Sequence, residues 1–205
     1  MNFLNELTYK YLYLKYYLLE YPLYKLIFKR IGKRSKILSV LRLEYPENII
    51  IGDNVIIGFS AWLAATKHIN ADPNLVISDG CTLGDYNEIY CIKEVILEKN
   101  VFTAKNVYIS DNTHSYKDIN IPVFKQEVVL TNSVRIGESA WLGINVCVLG
   151  ASVGKHSVIG ANSVVTTSIP DYCVAVGAPA KIVKRYDFET KIWRKTNSKG
   201  EFIDE

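Results

Sequence analysis

An aliphatic residue returns every six positions through much of this chain, often with glycine directly behind it. The blocks are IGDNVI IGFSAW (residues 51–62), ISDGCT LGDYNE (77–88), LEKNVF TAKNVY ISDNTH (97–114) and IGESAW LGINVC (136–147). After VLGAS, one residue short of a full step, the pattern resumes as VGKHSV IGANSV (153–164). A period of six fits neither the 3.6 of an amphipathic helix nor the simple alternation of a strand. It fits a coil of short strands and tight corners, with the lead aliphatic turned inward, glycine relieving the corner and a small fifth residue packed beside it. Three such steps close one turn, and stacked turns pair as parallel sheets around one apolar column.

The rest of the sequence divides around that column. At 205 residues and 49% hydrophobic content the chain can bury a full core. We expect an N-terminal helical segment over 1–42, the coil over 43–176 and a C-terminal segment with a short helix over 177–205. Leu4, Leu7, Tyr11, Leu14 and Leu18 recur at steps of three and four, and Pro22 opens a second short helix. This segment would cap the open end of the column, or lie on a membrane interface, or do both. Residues 1–36 hold eight Lys or Arg against Glu6 and Glu20, whereas the remainder is slightly acidic. That imbalance suits an anionic membrane surface, a phosphate-bearing ligand or a solvated face; no motif points to nucleic acid.

Cys81, Cys91, Cys147 and Cys173 are too widely spaced for a zinc knuckle or a redox pair, and read as reduced thiols of a cytoplasmic protein. The first thirty residues lack the pattern of a secretory signal, and no run is long and apolar enough to span a bilayer. Peripheral contact with the inner face of the membrane through residues 1–36 stays open.

The repeat lapses at DNTHSYKDINIP, and about twenty residues pass before it resumes. An excursion of that length from a compact repeat is a functional loop by expectation, here over about 111–132. Asn87 occupies a position in LGDYNE where the repeat calls for a small residue, which makes it a polar candidate for substrate binding.

The stretch IGESAWLGINVCVLGASVGKHSVIGANSVVTTSIPDYCVAVGAPAKIVKR, residues 136–185, resembles the hexapeptide-repeat acyltransferases, in particular bacterial sugar and polysaccharide O-acetyltransferases of the galactoside and maltose acetyltransferase type. With the earlier hexads and the loop, the resemblance covers about residues 45–185. It implies an all-β fold, a left-handed parallel β-helix, although parallel crossovers are ordinarily right-handed. It also implies a homotrimer with active sites between subunits.

On that resemblance DNTHSY matches the catalytic segment, and His114 would be the general base. A hydroxyl attacking an acetyl thioester must lose its proton, and an imidazole titrating near neutrality can take it and return it to the departing thiolate. Asp111 and Asn112 would fix the sugar or order the loop, and Tyr116 would stack on a sugar ring. Trp141, Ile144 and Ala161 would line the acetyl-CoA groove, Ile144 and Ala161 through main-chain groups. Thr166 and Thr167 would follow toward the phosphates, and Lys181 and Lys184 would reach them. Lysine is common in the family where Thr167 stands, and a second histidine near Asn112.

The γ-type carbonic anhydrases share this fold and bind zinc through three histidines. Here His68, His114 and His156 are the only three, and His156 falls at an outward corner, so no metal is expected. The expected activity is transfer of acetyl from acetyl-CoA to a carbohydrate hydroxyl, that of a surface-polysaccharide (capsule or lipopolysaccharide) precursor, by direct attack. A chloramphenicol-type acetyltransferase and a non-catalytic scaffold are the alternatives.

Overall fold

A computed structural model describes residues 7–8, 10–11, 14–68, 72–197 and 199–203. Leu4, part of the expected N-terminal pattern, lies outside the described residues.

The six-residue period becomes a three-sided parallel coil. Face A has five strands, from Arg30–Ile31 to Val134–Ile136; face C has six, from Val40–Glu44 to Val164–Val165. Face B runs from Lys36–Ile37 through Cys173–Val176 and is extended by two further strands. Each lead aliphatic sits in register on the one a turn below. Ile31, Ile51, Ile77, Leu97 and Ile136 stack inside face A. Ile37, Ile57, Leu83, Thr103, Leu142 and Ile159 stack inside face B. Leu63, Ile89, Ile109, Val148 and Val165 fill face C. All are buried and all but Thr103 are aliphatic, so the repeat writes one apolar column.

The corners explain the residues between the leads. Asn100, Asn106, Asn145 and Asn162 all take φ of +58°, a left-handed turn that asparagine tolerates better than most side chains. Gly143 serves a different need: a side chain there would bring its Cβ to 2.8 Å from the Ala161 backbone nitrogen of the next turn.

The N-terminal end is closed by a helix, as the sequence leads one to expect, but by its tyrosines. A π-helical turn, Tyr16–Glu20, leads into α1, Tyr21–Ile27, and the Tyr21 N–H donates to the Tyr16 carbonyl. That i to i+5 register puts Tyr16 and Tyr21 on one side. Tyr16 and Phe28 join the core, with Tyr17, Tyr21, Tyr24 and Ile27 packed against it. The Tyr16 hydroxyl donates to the Ser35 carbonyl at 3.1 Å and Tyr21 to that of Gly32 at 3.0 Å. Burial pushes the Tyr16 phenol well above its ordinary range. Leu7, Tyr11, Leu14 and Leu18, the apolar stripe read from the sequence, are exposed and take no part in the cap.

The C-terminal end departs from expectation. No helix forms around Phe188, Ile192 and Trp193; Lys181–Asp187 pairs antiparallel with Cys173–Val176, and Ile192–Lys195 pairs with it in turn. The last coil offers an open sheet edge, and Ile182, Val183, Tyr186, Ile192 and Trp193 are β-branched or aromatic residues suited to satisfy it.

Candidate active site

The loop leaves the column at the edge between faces C and A, directly after strand Tyr108–Ser110. Its root is a short antiparallel hairpin, Asn112–His114 against Val128–Leu130, with His114 opposite Val128. Asp111 anchors that root. Its carboxylate is buried and accepts hydrogen bonds from the backbone N–H groups of Ile92 (2.9 Å), Lys93 (2.8 Å) and Glu94 (2.9 Å) and from the Asn112 side-chain amide (2.9 Å). The Asn112 amide also donates to the Tyr90 carbonyl at 3.1 Å, and its backbone exchanges two bonds with the Ser110 hydroxyl. Through these bonds both residues tie the loop root to the turn below.

His114, at the end of the root strand, and Tyr116, beyond it, are exposed, and Gln126 braces the loop by donating to the carbonyls of Asp118 and Ile121, each at 2.8 Å. The chain returns through Thr131, whose N–H and hydroxyl both donate to the Asp111 carbonyl. Gly150, at φ +58°, lets the shortened VLGAS corner pass beneath it: a Cβ there would fall 2.3 Å from the Thr131 hydroxyl oxygen.

A second edge, between faces B and C, carries three of the seven expected donor residues, Ile144, Ala161 and Lys181. Ile144 and Ala161 stack on successive turns, with the Asn162 N–H donating to the Ile144 carbonyl at 2.9 Å. The side chains of Asn106, Asn145 and Asn162 form a hydrogen-bonded ladder along the corner. Trp141 lies on the adjoining face B, half exposed and stacked on Phe102 with ring centroids 6.4 Å apart and planes within 14°. Lys181, opposite Val176, continues the same edge one step further, whereas Lys184, opposite Val174, sits back on face B. Thr166 and Thr167 are exposed just past strand Val164–Val165, so they fall on the loop edge and not beside Ala161.

No family model matches the chain. By sequence it is 40% identical over 129 residues to a protein of Escherichia coli (strain K12) named as a lipopolysaccharide biosynthesis O-acetyl transferase, WbbJ; the match covers 59% of this chain and 65% of that one. It is 39% identical over 134 residues, 65% of its length, to a Mycobacterium tuberculosis protein named as an acetyltransferase, Rv3034c, of which it spans 36%. The chain thus spans less than two thirds of either relative. Among solved structures, a mutant of AntD, an N-acyltransferase from Bacillus cereus in complex with dTDP-4-amino-4,6-dideoxyglucose and coenzyme A, superposes with a TM-score of 0.65 at 19% identity. That superposition covers 82% of this chain and 89% of AntD.

The fold is the left-handed parallel β-helix of the hexapeptide-repeat acyltransferases.

Within this β-helix the expected site residues do not form one cluster in a single chain. His114, Asp111, Asn112, Tyr116, Thr166 and Thr167 belong to the C–A edge; Ile144, Ala161 and Lys181 belong to the B–C edge, and face C lies between. Asn87 is on neither surface. It is buried inside the B–C corner, where its amide donates to the carbonyls of Gly84 and Ala104 (2.8 Å each) and its oxygen accepts from the Thr103 hydroxyl at 2.7 Å. It fills the small-residue slot of the β-helix by satisfying itself there.

Reasoning from the repeat alone missed one group. On face C beside the loop root, His68 Nε2 is 3.0 Å from the Tyr90 hydroxyl, Tyr90 meets Trp62 edge to face at 6.0 Å, and the Arg42 guanidinium lies 5.0 Å above Trp62. His68 stands in an irregular link between faces C and A, the same edge that later expels the loop. The legible signal was the position: Trp62 and Tyr90 are outward positions of hexads, where bulky aromatics have no packing purpose within one coil. His156 lies apart, at an outward corner between faces A and B, stacked on Tyr172 at 5.6 Å.

Proposed function

We propose that this protein is a cytoplasmic O-acetyltransferase, moving acetyl from acetyl-CoA to a hydroxyl of a carbohydrate, a surface-polysaccharide precursor. The observation that carries this reading is an exposed histidine held on an anchored loop of a β-helix whose next edge is an unbroken stack of corners, a shape that suits a long slender cosubstrate. The names of the relatives, and the sugar nucleotide and coenzyme A held by AntD, support the substrate classes.

In this reading the enzyme is a homotrimer, and His114 of one copy faces the Trp141, Ile144 and Ala161 groove of the next. Two features favour it. The proton acceptor and the groove occupy different edges of one column, and both carry exposed apolar groups: Ile119 and Phe124 at the loop, Phe102 and Trp141 beside the groove. Packing copies side by side covers both.

The chemistry then follows from position. The pantetheine arm lies along the B–C edge against main-chain groups of Ile144 and Ala161, with Lys181 nearest the phosphates. The acceptor sugar rests on face C, its ring against Tyr90, Trp62 or Tyr116. His114 takes the proton as the hydroxyl oxygen attacks the thioester carbonyl, then delivers it to the thiolate of coenzyme A. No acyl-enzyme forms, and much of the rate comes from holding the two reactants together.

The test is release of free thiol from acetyl-CoA in the presence of sugars, nucleotide sugars and lipid-linked oligosaccharides, alongside calorimetric titration with acetyl-CoA. Acetyl-CoA binding with thiol release dependent on one acceptor class is the expected result. Failure to bind acetyl-CoA at millimolar concentration would overturn the reading.

A further inference from the structure

The N-terminal helix has two faces, and capping the column uses only one. Tyr16, Tyr21, Tyr24 and Phe28 turn toward the first coil, while Leu7, Leu14, Leu18, Leu19, Leu23 and Leu26 turn away from it. The contrast is large: Tyr16 is 7% exposed, Leu18 64% and Leu26 83%. An apolar strip of this length on a surface marks a binding face.

The charges around the strip say what it binds. Lys10, Lys15 and Lys25 on the helix and Lys29, Arg30, Lys33 and Arg34 just after it are exposed. Among the described residues up to position 36 the single acid is Glu20, paired with Lys15 at 3.0 Å. A second copy of the same strip would bring like charges together. An anionic surface would not, and among the described residues no helix is long and apolar enough to cross a membrane.

We propose that this strip docks the protein on the surface of an anionic phospholipid bilayer. The helix lies in the interface plane, with the leucines at the acyl boundary and the lysines and arginines among the headgroups. The tyrosines remain on the column, so the helix acts as a bracket between β-helix and lipid. Three copies packed side by side would place three brackets at the same end, and their binding would reinforce one another. The proposal does not depend on the acetyl-transfer reading, since lipid binding and thiol release are measured separately.

Co-sedimentation of the full chain with phosphatidylglycerol-containing vesicles, against pure phosphatidylcholine vesicles, tests it. Binding to the anionic vesicles should be strong at low salt, weaken several-fold in higher salt, and fall about tenfold or more on phosphatidylcholine. Leu14→Ser with Leu18→Ser should lower partitioning about tenfold or more, while circular dichroism and acetyl-CoA titration stay unchanged. Lys25→Glu with Lys29→Glu, which leaves the leucines intact, should weaken binding to anionic vesicles alone. Equal binding to both lipids, no binding to either, or leucine variants that change the oligomeric mass but not vesicle binding would each overturn the proposal.

Discussion

The two edges flanking face C are built from the same hexads and put to opposite uses. At the C–A edge the coil expels about twenty residues, and Asp111 and Asn112 are committed to tying that excursion down. At the B–C edge nothing is expelled; Gly143 keeps successive backbones in contact and an asparagine ladder repeats turn after turn. A mobile proton needs a side chain lifted clear of the column, while a long slender cosubstrate needs an uninterrupted groove. One chain cannot place both demands on the same corner, which is why the proposed site needs two copies.

The sharpest way to break this contrast is to disable one edge at a time. His114→Ala should lower kcat by about a hundredfold to ten-thousandfold, with acetyl-CoA affinity by calorimetry unchanged. Ala161→Trp should block the groove and abolish acetyl-CoA binding while leaving the loop intact. If the edges act across an interface, refolding the two inactive variants together in equal amounts should restore roughly a quarter of wild-type activity, the statistical share of intact pairings in a cyclic assembly. A mixture as inactive as its components would place both edges of each site in one copy.

Asp111→Ala comes next in size. Removing a buried carboxylate that satisfies three backbone N–H groups should cost about 3 kcal/mol or more, read as a lower midpoint in denaturant. Turnover should fall because the loop root loosens, whereas acetyl-CoA affinity at the opposite edge should hold. A parallel loss of affinity would mean that the two edges are mechanically coupled.

How much of this was legible in the sequence depends on whether a residue's role is repeated. Ile89 and Leu142 could be assigned to the column because their position recurs every six residues. Asn87 was marked as a substrate-binding candidate because it breaks the small-residue rule of its hexad; its burial was not legible, since two of its partners, Ala104 and Thr103, belong to the next turn and only stacking brings them near. The helical period announced the N-terminal helix but left open which face caps the column; the π turn aligns Tyr16 with Tyr21, and that five-residue spacing is invisible to a 3.6-residue template. The C-terminal helix failed for another reason. Whether Ile192 and Trp193 coil or extend is decided by the open edge of Cys173–Val176, a partner supplied by tertiary structure. His68 had no pattern at all, and only its contact with Tyr90 gives it a place.

Smaller effects should separate the two cations expected at the phosphates. Lys181 continues the B–C edge, while Lys184 is set back on face B. Lys181→Glu should raise KM for acetyl-CoA about fivefold and Lys184→Glu about twofold or less, with KM for the acceptor constant in both, as fits loss of one exposed charge-assisted contact. The reverse order would shift the phosphate end away from the edge.

The smallest effect expected concerns the hairpin that carries both lysines. Arg194, 2.9 Å from Asp187, holds that carboxyl down to about 2 from an ordinary 3.8. Because the folded value is the lower one, the stabilisation is complete above about pH 4 and is lost as pH falls through about 2. Asp187→Asn should therefore remove a small increment of thermal stability at neutral pH and make no difference well below pH 2, where the wild-type carboxyl is itself protonated. Its functional trace should appear at one edge alone, as a modest rise in KM for acetyl-CoA with kcat unchanged. A fall in kcat would mean that the hairpin also reaches the loop of a neighbouring copy, and the separation of the two edges would then be incomplete.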